Sequence, residues 1–184
     1  MNISHGDHAK AVSDLLKAGV DVFASAETIR ALGVGGHRVN TAIHGKQFQL
    51  GAFIILPFEL QHDVPNTGYL LYSTATKEKL AFITDSYYCK YTFSGLNYLL
   101  LECNHSYEIL DRNVASGYLS VDMKKRLIHS HFSLENVKKF LQANDLSQVK
   151  EIHLLHLSEG NSDSERFRRE VQEITGKPVY VADA

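Results

Sequence analysis

His5-Gly6-Asp7-His8 stands near the start of the chain and brings two imidazoles and a carboxylate together within one short stretch. Three further side chains of the same kinds follow far downstream, at His62, Asp85 and His156. Imidazole and carboxylate groups are the ligands that zinc, manganese or iron accept where one coordination position must stay open to water. The pattern therefore predicts a catalytic metal site rather than a structural zinc site.

The composition is that of an ordinary globular protein. The chain has 184 residues, of which 44% are hydrophobic and 22% charged, so we expect one domain over residues 1–184 with a substantial core. Disordered and fibrous classes are excluded. The formal net charge of −2 provides no overall attraction to nucleic acid, although a local basic cluster at Lys124, Lys125 and Arg126 permits a polyanionic partner.

The cysteines and the hydropathy pattern indicate where the protein works. Cys89 and Cys103 share no CxxC spacing, so we interpret them as core residues or free thiols, which is typical of a reducing cytoplasm. No window approaches the ~20 consecutive apolar residues of a membrane span, and no signal peptide opens the chain. A cytoplasmic protein without a membrane partner is the expectation.

Hydrophobic spacing predicts an α/β order of elements. We expect a helix over residues 7–19, a strand over 20–24 and a second, short helix from Ser25 that ends at the glycines 33, 35 and 36. Strands follow over 48–50, 52–58, 68–73, 79–84 and 98–102. The chain continues with helices over 106–112, 121–129 and 134–143, a strand over 149–157, a helix over 163–175 and a strand over 179–181. Two of these strands are followed by polar residues, Asp85-Ser86 in one case and Asn104-His105 in the other. Polar side chains at strand ends are natural site positions in α/β folds.

Several segments together resemble the metallo-β-lactamase fold hydrolases, and among them the YycJ-like subgroup. The segments are HGDH, LQHDVPNTGYLL, AFITDS, LLLECNHSYEIL, KKRLIHSHFSLEN and IHLLHLSEGNS, in that order along nearly the whole chain. The resemblance implies an αββα sandwich. Proteins of this fold begin with strands and a helix before a HxHxDH motif, whereas here only Met1 to Ser4 precede the corresponding residues, so we expect the fold to be N-terminally truncated.

The resemblance also implies a set of metal ligands. His5 and His62 would hold a first ion. Asp7, His8 and His156 would hold a second one, and Asp85 would bridge the two. The sequence departs from the motif at Ile3, which occupies the place of the first histidine and whose aliphatic side chain cannot coordinate a metal. The expected cofactor is a divalent metal, zinc first and manganese as the alternative, with one or two ions bound.

Each candidate residue, taken alone, could also have a purely structural role. The residues around Asp7 could simply start a helix, His62 could be a satisfied strand-end histidine, and Asp85 could be a turn residue bonded to Ser86. Of His153 and His156, only one can face the ligands because side chains alternate across a strand, and the resemblance favours His156. The candidate residues indicate a metal site only when they are considered together.

The candidate catalytic residues are Asp7 and His131. Cleavage of a phosphodiester needs protonation of the leaving oxygen and stabilisation of developing charge, for which His131 is favoured over Arg126 and His105. An exposed loop histidine is the equal alternative for His131. Glu102 and Asn104 are interpreted as residues that orient loops or ligand imidazoles, and they stay outside the catalytic set.

The sequence leads to a metal-dependent hydrolase, a phosphodiesterase acting on nucleic acid or a cyclic nucleotide through a metal-activated water. Because missing strands would expose apolar surface, we expect a homodimer joined along the opened side. The alternative is a degenerate member of the fold, impaired in catalysis through Ile3, that acts as a binding or assembly protein. A third possibility is that the true protein extends upstream of Met1.

Overall fold

The computed structural model describes residues 1, 2, 4 and 6–182, and of Asp7 only the backbone. The described helices are α1 Gly6–Ala9, α2 Val12–Lys17, α3 Ala26–Leu32, α4 Tyr107–Ala115, α5 Val121–Ser130, α6 Leu134–Ala143 and α7 Ser164–Thr175. The described strands are β1 Val22–Ala24, β2 Val39–Thr41, β3 Phe48–Leu50, β4 Phe53–Leu60, β5 Asn66–Ser73, β6 Lys79–Ile83, β7 Tyr98–Glu102, β8 Glu151–Leu155 and β9 Val179–Val181.

Strands β3 to β9 form one mixed sheet in the order of the chain. β3 to β6 run antiparallel, and β6 to β9 run parallel. The turn between β3 and β4 contains Gly51 at φ +57°, a conformation that glycine adopts without the penalty of a Cβ atom. Helices α4 to α6 lie in the connection from β7 to β8, since parallel neighbours need a long crossover.

One face of this sheet carries the main core. Alternate residues of the parallel strands, such as Ile83, Leu101 and Leu154, are fully buried and cluster with Phe132 and Phe167 from the helical side. Side chains alternate across a strand with a period of two, so every second residue faces the helices. Each fully buried side chain of this size contributes roughly 1.5–3 kcal/mol. The carboxyl ends of β6, β7 and β8 are thereby fixed side by side.

The opposite face meets the N-terminal elements. β1 and β2 pair in parallel as a separate two-stranded sheet, and a small cluster around Val12 and Val22 packs beside it. Between these elements and the large sheet lies an apolar cavity of about 650 Å³. We call it the apolar cavity; its walls include Met1, Val12, Val22, Phe48, Tyr69, Leu71, Leu80, Phe82 and Leu100.

Each predicted element is present apart from boundaries, but the structure adds strand β2, which was not predicted, and one predicted helix is interrupted. The helix expected over residues 7–19 is interrupted, since α1 ends at Ala9 and α2 begins at Val12. No glycine or proline lies at the break, which falls at Lys10 and Ala11. By contrast α6 begins where the sequence predicts, because Ser133 caps it by accepting a hydrogen bond from the Asn136 N–H at 3.1 Å.

Both cysteines are buried free thiols, as the sequence predicts. The described helices are all too short or too polar to cross a membrane.

Candidate metal centre

Four side chains meet where the parallel strands end. Asp85 follows β6, Glu102 ends β7, His131 follows α5 and His156 follows β8. Each offers a ligand atom, and these atoms all lie within 4.8 Å of one another. The carboxyl edge of parallel strands is where α/β folds commonly place their sites. The cluster combines two carboxylates with two imidazoles and contains no thiolate, which is the donor chemistry of a catalytic metal site.

Glu102 is the centre of this cluster and is completely buried. Its Oε1 atom lies 2.6 Å from Nδ1 of His131 and 2.7 Å from Nδ1 of His156. Its Oε2 atom accepts hydrogen bonds from the backbone N–H groups of Ser86, at 2.9 Å, and Phe132, at 3.4 Å. Both oxygens of the Glu102 carboxylate therefore already have hydrogen-bond donors from the protein.

The ionisation of Glu102 fixes the tautomers of the two histidines. Burial alone would raise the pKa of Glu102, but the hydrogen bonds from His131 and His156 hold it below its usual value. An ionised carboxylate can only accept hydrogen bonds. Both imidazoles must therefore carry a proton on Nδ1, so any metal coordination by them would use Nε2. Such carboxylate–histidine pairs are the usual way in which proteins orient metal ligands.

Asp85 is held from several sides and is 1% exposed. Its Oδ2 atom lies 2.9 Å from Nε2 of His8 and 3.3 Å from Nδ2 of Asn2, while Oδ1 is 3.6 Å from Nδ1 of His156. Burial would raise the pKa of Asp85, but the hydrogen bond with His8 and the neighbouring imidazoles lower it to about 2. Asp85 is therefore a carboxylate at any physiological pH.

The backbone at two of these residues is strained. Asp85 has φ +52° and His156 has φ +55°, a left-handed conformation that residues with a Cβ atom rarely adopt. A buried asparagine holds each one. Asn66 Nδ2 donates to the carbonyls of Thr84, at 2.8 Å, and Asp85, and Asn104 Nδ2 donates to the carbonyl of His156 at 2.9 Å. Such strain persists only where surrounding contacts over-determine it, and it clusters at functional sites.

His62 lies beside the cluster, on the loop after β4. Its side chain is 1% exposed, its Nδ1 atom lies 2.6 Å from the Ser130 carbonyl, and its Nε2 atom lies 3.0 Å from Oδ1 of Asp63. The ring centroids of His62 and His131 are 5.2 Å apart. Burial lowers the pKa of His62 below its ordinary value, and a neutral imidazole is the form that binds a metal.

These residues open into a cavity of about 320 Å³, which we call the cleft. Its walls are formed by His62, Asp63, Asp85, Asn104, Arg126, Ser130, His131, His156, Leu157 and Ser158. The lining is mostly polar, and the acidic and imidazole groups lie together in it. The cleft is thus large enough for a small substrate group next to the candidate ligands.

The structure brings together most of the residues that the sequence proposes as ligands. His8, Asp85 and His156 meet directly, and His62 lines the same cleft. His5 and Ile3 lie outside the described residues, and so does the side chain of Asp7, so their predicted roles stay predictions.

The other histidines differ in whether they line the cleft. His131, for which an exposed loop position was the alternative, is bonded to Glu102 and lines the cleft. His153 points elsewhere, stacking on Tyr180 with ring centroids 5.2 Å apart. His105 is completely buried and is not part of the cleft wall, and burial lowers its pKa to about 4. Of the three alternatives for proton transfer, His131 and Arg126 line the cleft and His105 does not.

Glu102 is the residue whose importance the sequence understates. The signal was present, since an acidic residue closes the apolar run Tyr98–Glu102 and is followed by Asn104. An ionisable side chain that ends a buried strand must be paired. Its partners, however, come from segments far along the chain, and the sequence does not identify them.

Comparisons with known proteins agree with this architecture. No family profile and no curated protein matches the sequence, but solved structures do. YhfI from Bacillus subtilis, described as a metallo-beta-lactamase fold protein, superimposes with a TM-score of 0.70 at 14% identity, over 99% of this chain and 73% of that one. The chain has the metallo-β-lactamase fold. The fold expected from the sequence is confirmed, whereas the YycJ-like subgroup stays a prediction.

Two further structures with the metallo-β-lactamase-like arrangement support the same conclusion. Igni18, a metallo hydrolase from the archaeon Ignicoccus hospitalis, has a TM-score of 0.66 at 14% identity, covering 98% of this chain and 73% of that one. The short form of human tRNase Z has a TM-score of 0.59 at 14% identity, covering 100% of this chain and 74% of that one. Part of each of these proteins thus has no counterpart in this sequence.

Proposed function

We propose that the protein is a metal-dependent hydrolase that cleaves phosphodiesters of a nucleotide or a nucleic acid. The observation that carries the proposal is the buried Glu102 carboxylate, which fixes His131 and His156 beside Asp85 at one edge of the sheet. The metallo-hydrolase and tRNase names of the structural neighbours supply the choice of reaction class.

The residues present fit a divalent metal. Asp85 and His156 would be its ligands, with His8 contributing from α1 and His62 from the loop after β4. A bound divalent ion lowers the pKa of a coordinated water toward ~7 and so supplies a nucleophile at neutral pH. Glu102 keeps the Nδ1 proton of His156 in place, so that Nε2 stays the coordinating atom. Zinc is the expected ion and manganese the alternative.

His131 is the proposed proton donor to the leaving oxygen. Its Nδ1 proton is held by Glu102, and its side chain is 17% exposed, so the ring reaches the cleft while its other edge stays anchored. With Nδ1 bonded to Glu102, the free nitrogen of the ring is Nε2, and a proton carried there can pass to the leaving oxygen. A positioned general acid of this kind contributes typically about 10²- to 10⁴-fold to a rate.

Metal analysis of the purified protein and a chromogenic assay test the proposal together. We expect at least one divalent ion per chain and metal-dependent release of p-nitrophenol from bis(p-nitrophenyl) phosphate. Removal of the metal by a chelator should abolish hydrolysis, and zinc or manganese should restore it. A chain that binds no divalent ion, or one whose metal-loaded form leaves the diester intact, would refute the function.

A second candidate function is a binding or assembly protein that has lost catalysis. The sequence favours it at one point, because Ile3 stands where the fold's motif has a ligand histidine. A single weakly held ion without hydrolysis would be its signature in the same experiment.

The homodimer is part of this proposal. The apolar cavity opens on the sheet face away from the main core, and Leu50 and Phe53 near it are about half exposed. We expect sedimentation equilibrium at micromolar concentration to give the mass of two chains, since covering such surface favours association. A monomer throughout the concentration range would contradict this prediction.

A further inference from the structure

Asn104 forms part of the cleft wall, and one end of its side chain has no hydrogen-bond partner among the described residues. It is 6% exposed, and its Nδ2 atom donates to the His156 carbonyl at 2.9 Å. Because only the amide nitrogen can donate, this contact fixes which end is which. The Oδ1 atom is buried, and no hydrogen-bond donor among the described residues reaches it. A buried acceptor without a partner costs free energy, and a ligand that brings a donor removes that cost.

Arg126, at the rim of the same cleft, offers positively charged hydrogen-bond donors, whereas Asn104 offers an acceptor. Its side chain is 65% exposed, and its guanidinium lies 3.6 Å from Oδ2 of Asp63, which in turn is the carboxylate next to His62. An exposed ion pair of this length contributes little to stability. The guanidinium can therefore exchange Asp63 for a phosphate, to which arginine binds in a bidentate manner.

The two groups discriminate between the parts of a substrate. A phosphate carries only acceptors and negative charge, so it is repelled by the Asn104 oxygen and attracted by Arg126. A hydroxyl or N–H group has the reverse preference. The cleft volume of about 320 Å³ is at the small end of ligand pockets, enough for one nucleotide rather than a duplex.

We propose that the cleft is a recognition site for a single nucleotide unit, in which Arg126 binds the phosphate and Asn104 Oδ1 accepts a hydrogen bond from a hydroxyl or N–H group of the same unit. The proposal rests on the proposed function and narrows it to small phosphodiesters or chain ends. Ligands without a donor group leave the Asn104 oxygen unpaired, and a site built in this way rejects them.

Calorimetric titration of the metal-free protein tests the recognition without any turnover. The probes are thymidine 5′-monophosphate, which carries hydroxyl and N–H donors, and phenyl phosphate, which has the same phosphate and a ring without donors. We expect the wild type to bind the nucleotide about tenfold or more tightly than phenyl phosphate, and Asn104→Ala to remove most of this preference. Arg126→Ala should weaken both probes about equally, by roughly tenfold.

Lys125→Ala is the matched control, because Lys125 is a neighbouring basic residue on α5 that does not line the cleft. It should leave both affinities unchanged. Equal weakening of both probes by Asn104→Ala would assign Asn104 a purely structural role. If that variant does not fold, the wild type still decides, since equal affinity for the two probes or no binding of either at millimolar concentration overturns the proposal. Binding without hydrolysis of any diester would instead refute only the proposed function.

Discussion

Replacement of Asp85 by asparagine is expected to remove the bound metal and to lower phosphodiester hydrolysis about a thousandfold. The carboxylate is buried against His8 and His156, so it supplies negative charge that no other group at that position replaces. Loss of metal-based charge stabilisation costs several kcal/mol in the transition state, and each ~1.4 kcal/mol is a factor of ten. The metal-to-protein ratio and the rate with bis(p-nitrophenyl) phosphate measure the two effects.

Asparagine is chosen for this substitution because it suits the backbone conformation at position 85. Asp85 has φ +52°, and asparagine tolerates this left-handed conformation better than alanine does. Loss of metal in the asparagine variant can then be ascribed to the carboxylate rather than to unfolding. Asp122→Asn, at a carboxylate that is almost fully exposed on α5, serves as the control and should keep both metal and activity. Full metal content in the Asp85 variant would exclude Asp85 as a ligand.

The fold was predictable from local patterns because its elements are locally consistent. Strand β9 and helix α6 have the predicted bounds, since a short apolar run and a serine cap with an acidic first turn leave little choice. The order of strands in the sheet follows the order of the chain, so hairpins and crossover connections determine it. The break between α1 and α2 carries no local signal and could not be predicted.

The site was predictable in part, for a different reason. Asp85 and His156 were candidate ligands because their side chains can coordinate a metal and because the resemblance assigned them to the site. His131 was a candidate proton donor, and Glu102 was interpreted only as an orienting residue. Which of them meet depends on tertiary structure. The positive φ values of Asp85 and His156, and the asparagines that hold them, arise only once the strand ends have been brought side by side. Spacing in the sequence contains no information on such contacts.

Replacement of Glu102 by glutamine is expected to lower metal affinity about 10- to 100-fold, the range typical of the groups that orient metal-bound histidines. Glutamine has one acceptor oxygen where the carboxylate has two. The backbone N–H groups of Ser86 and Phe132 can only donate, so the oxygen is expected to stay with them. The new NH₂ group then faces His131 and His156 and forces their protons onto Nε2, which in His156 is the atom that coordination requires. Competition with a chelating dye measures the loss of affinity.

The free energy of unfolding shows whether the Glu102→Gln substitution acts on the metal site alone or on the whole fold. If the amide adopts the orientation described, few donors are left unpaired, and the free energy of unfolding of the metal-free protein should fall by only about 1–3 kcal/mol in guanidinium chloride. Glu151→Gln is the matched control, because Glu151 lies on the adjacent strand β8 and contacts His153 at 3.0 Å without sharing the cluster. The Glu151→Gln variant should keep both the metal affinity and the free energy of unfolding of the wild type. Unaltered metal affinity in the Glu102 variant would mean that the Nε2 atom of His156 is not held for coordination, and the metal centre would have to lie elsewhere.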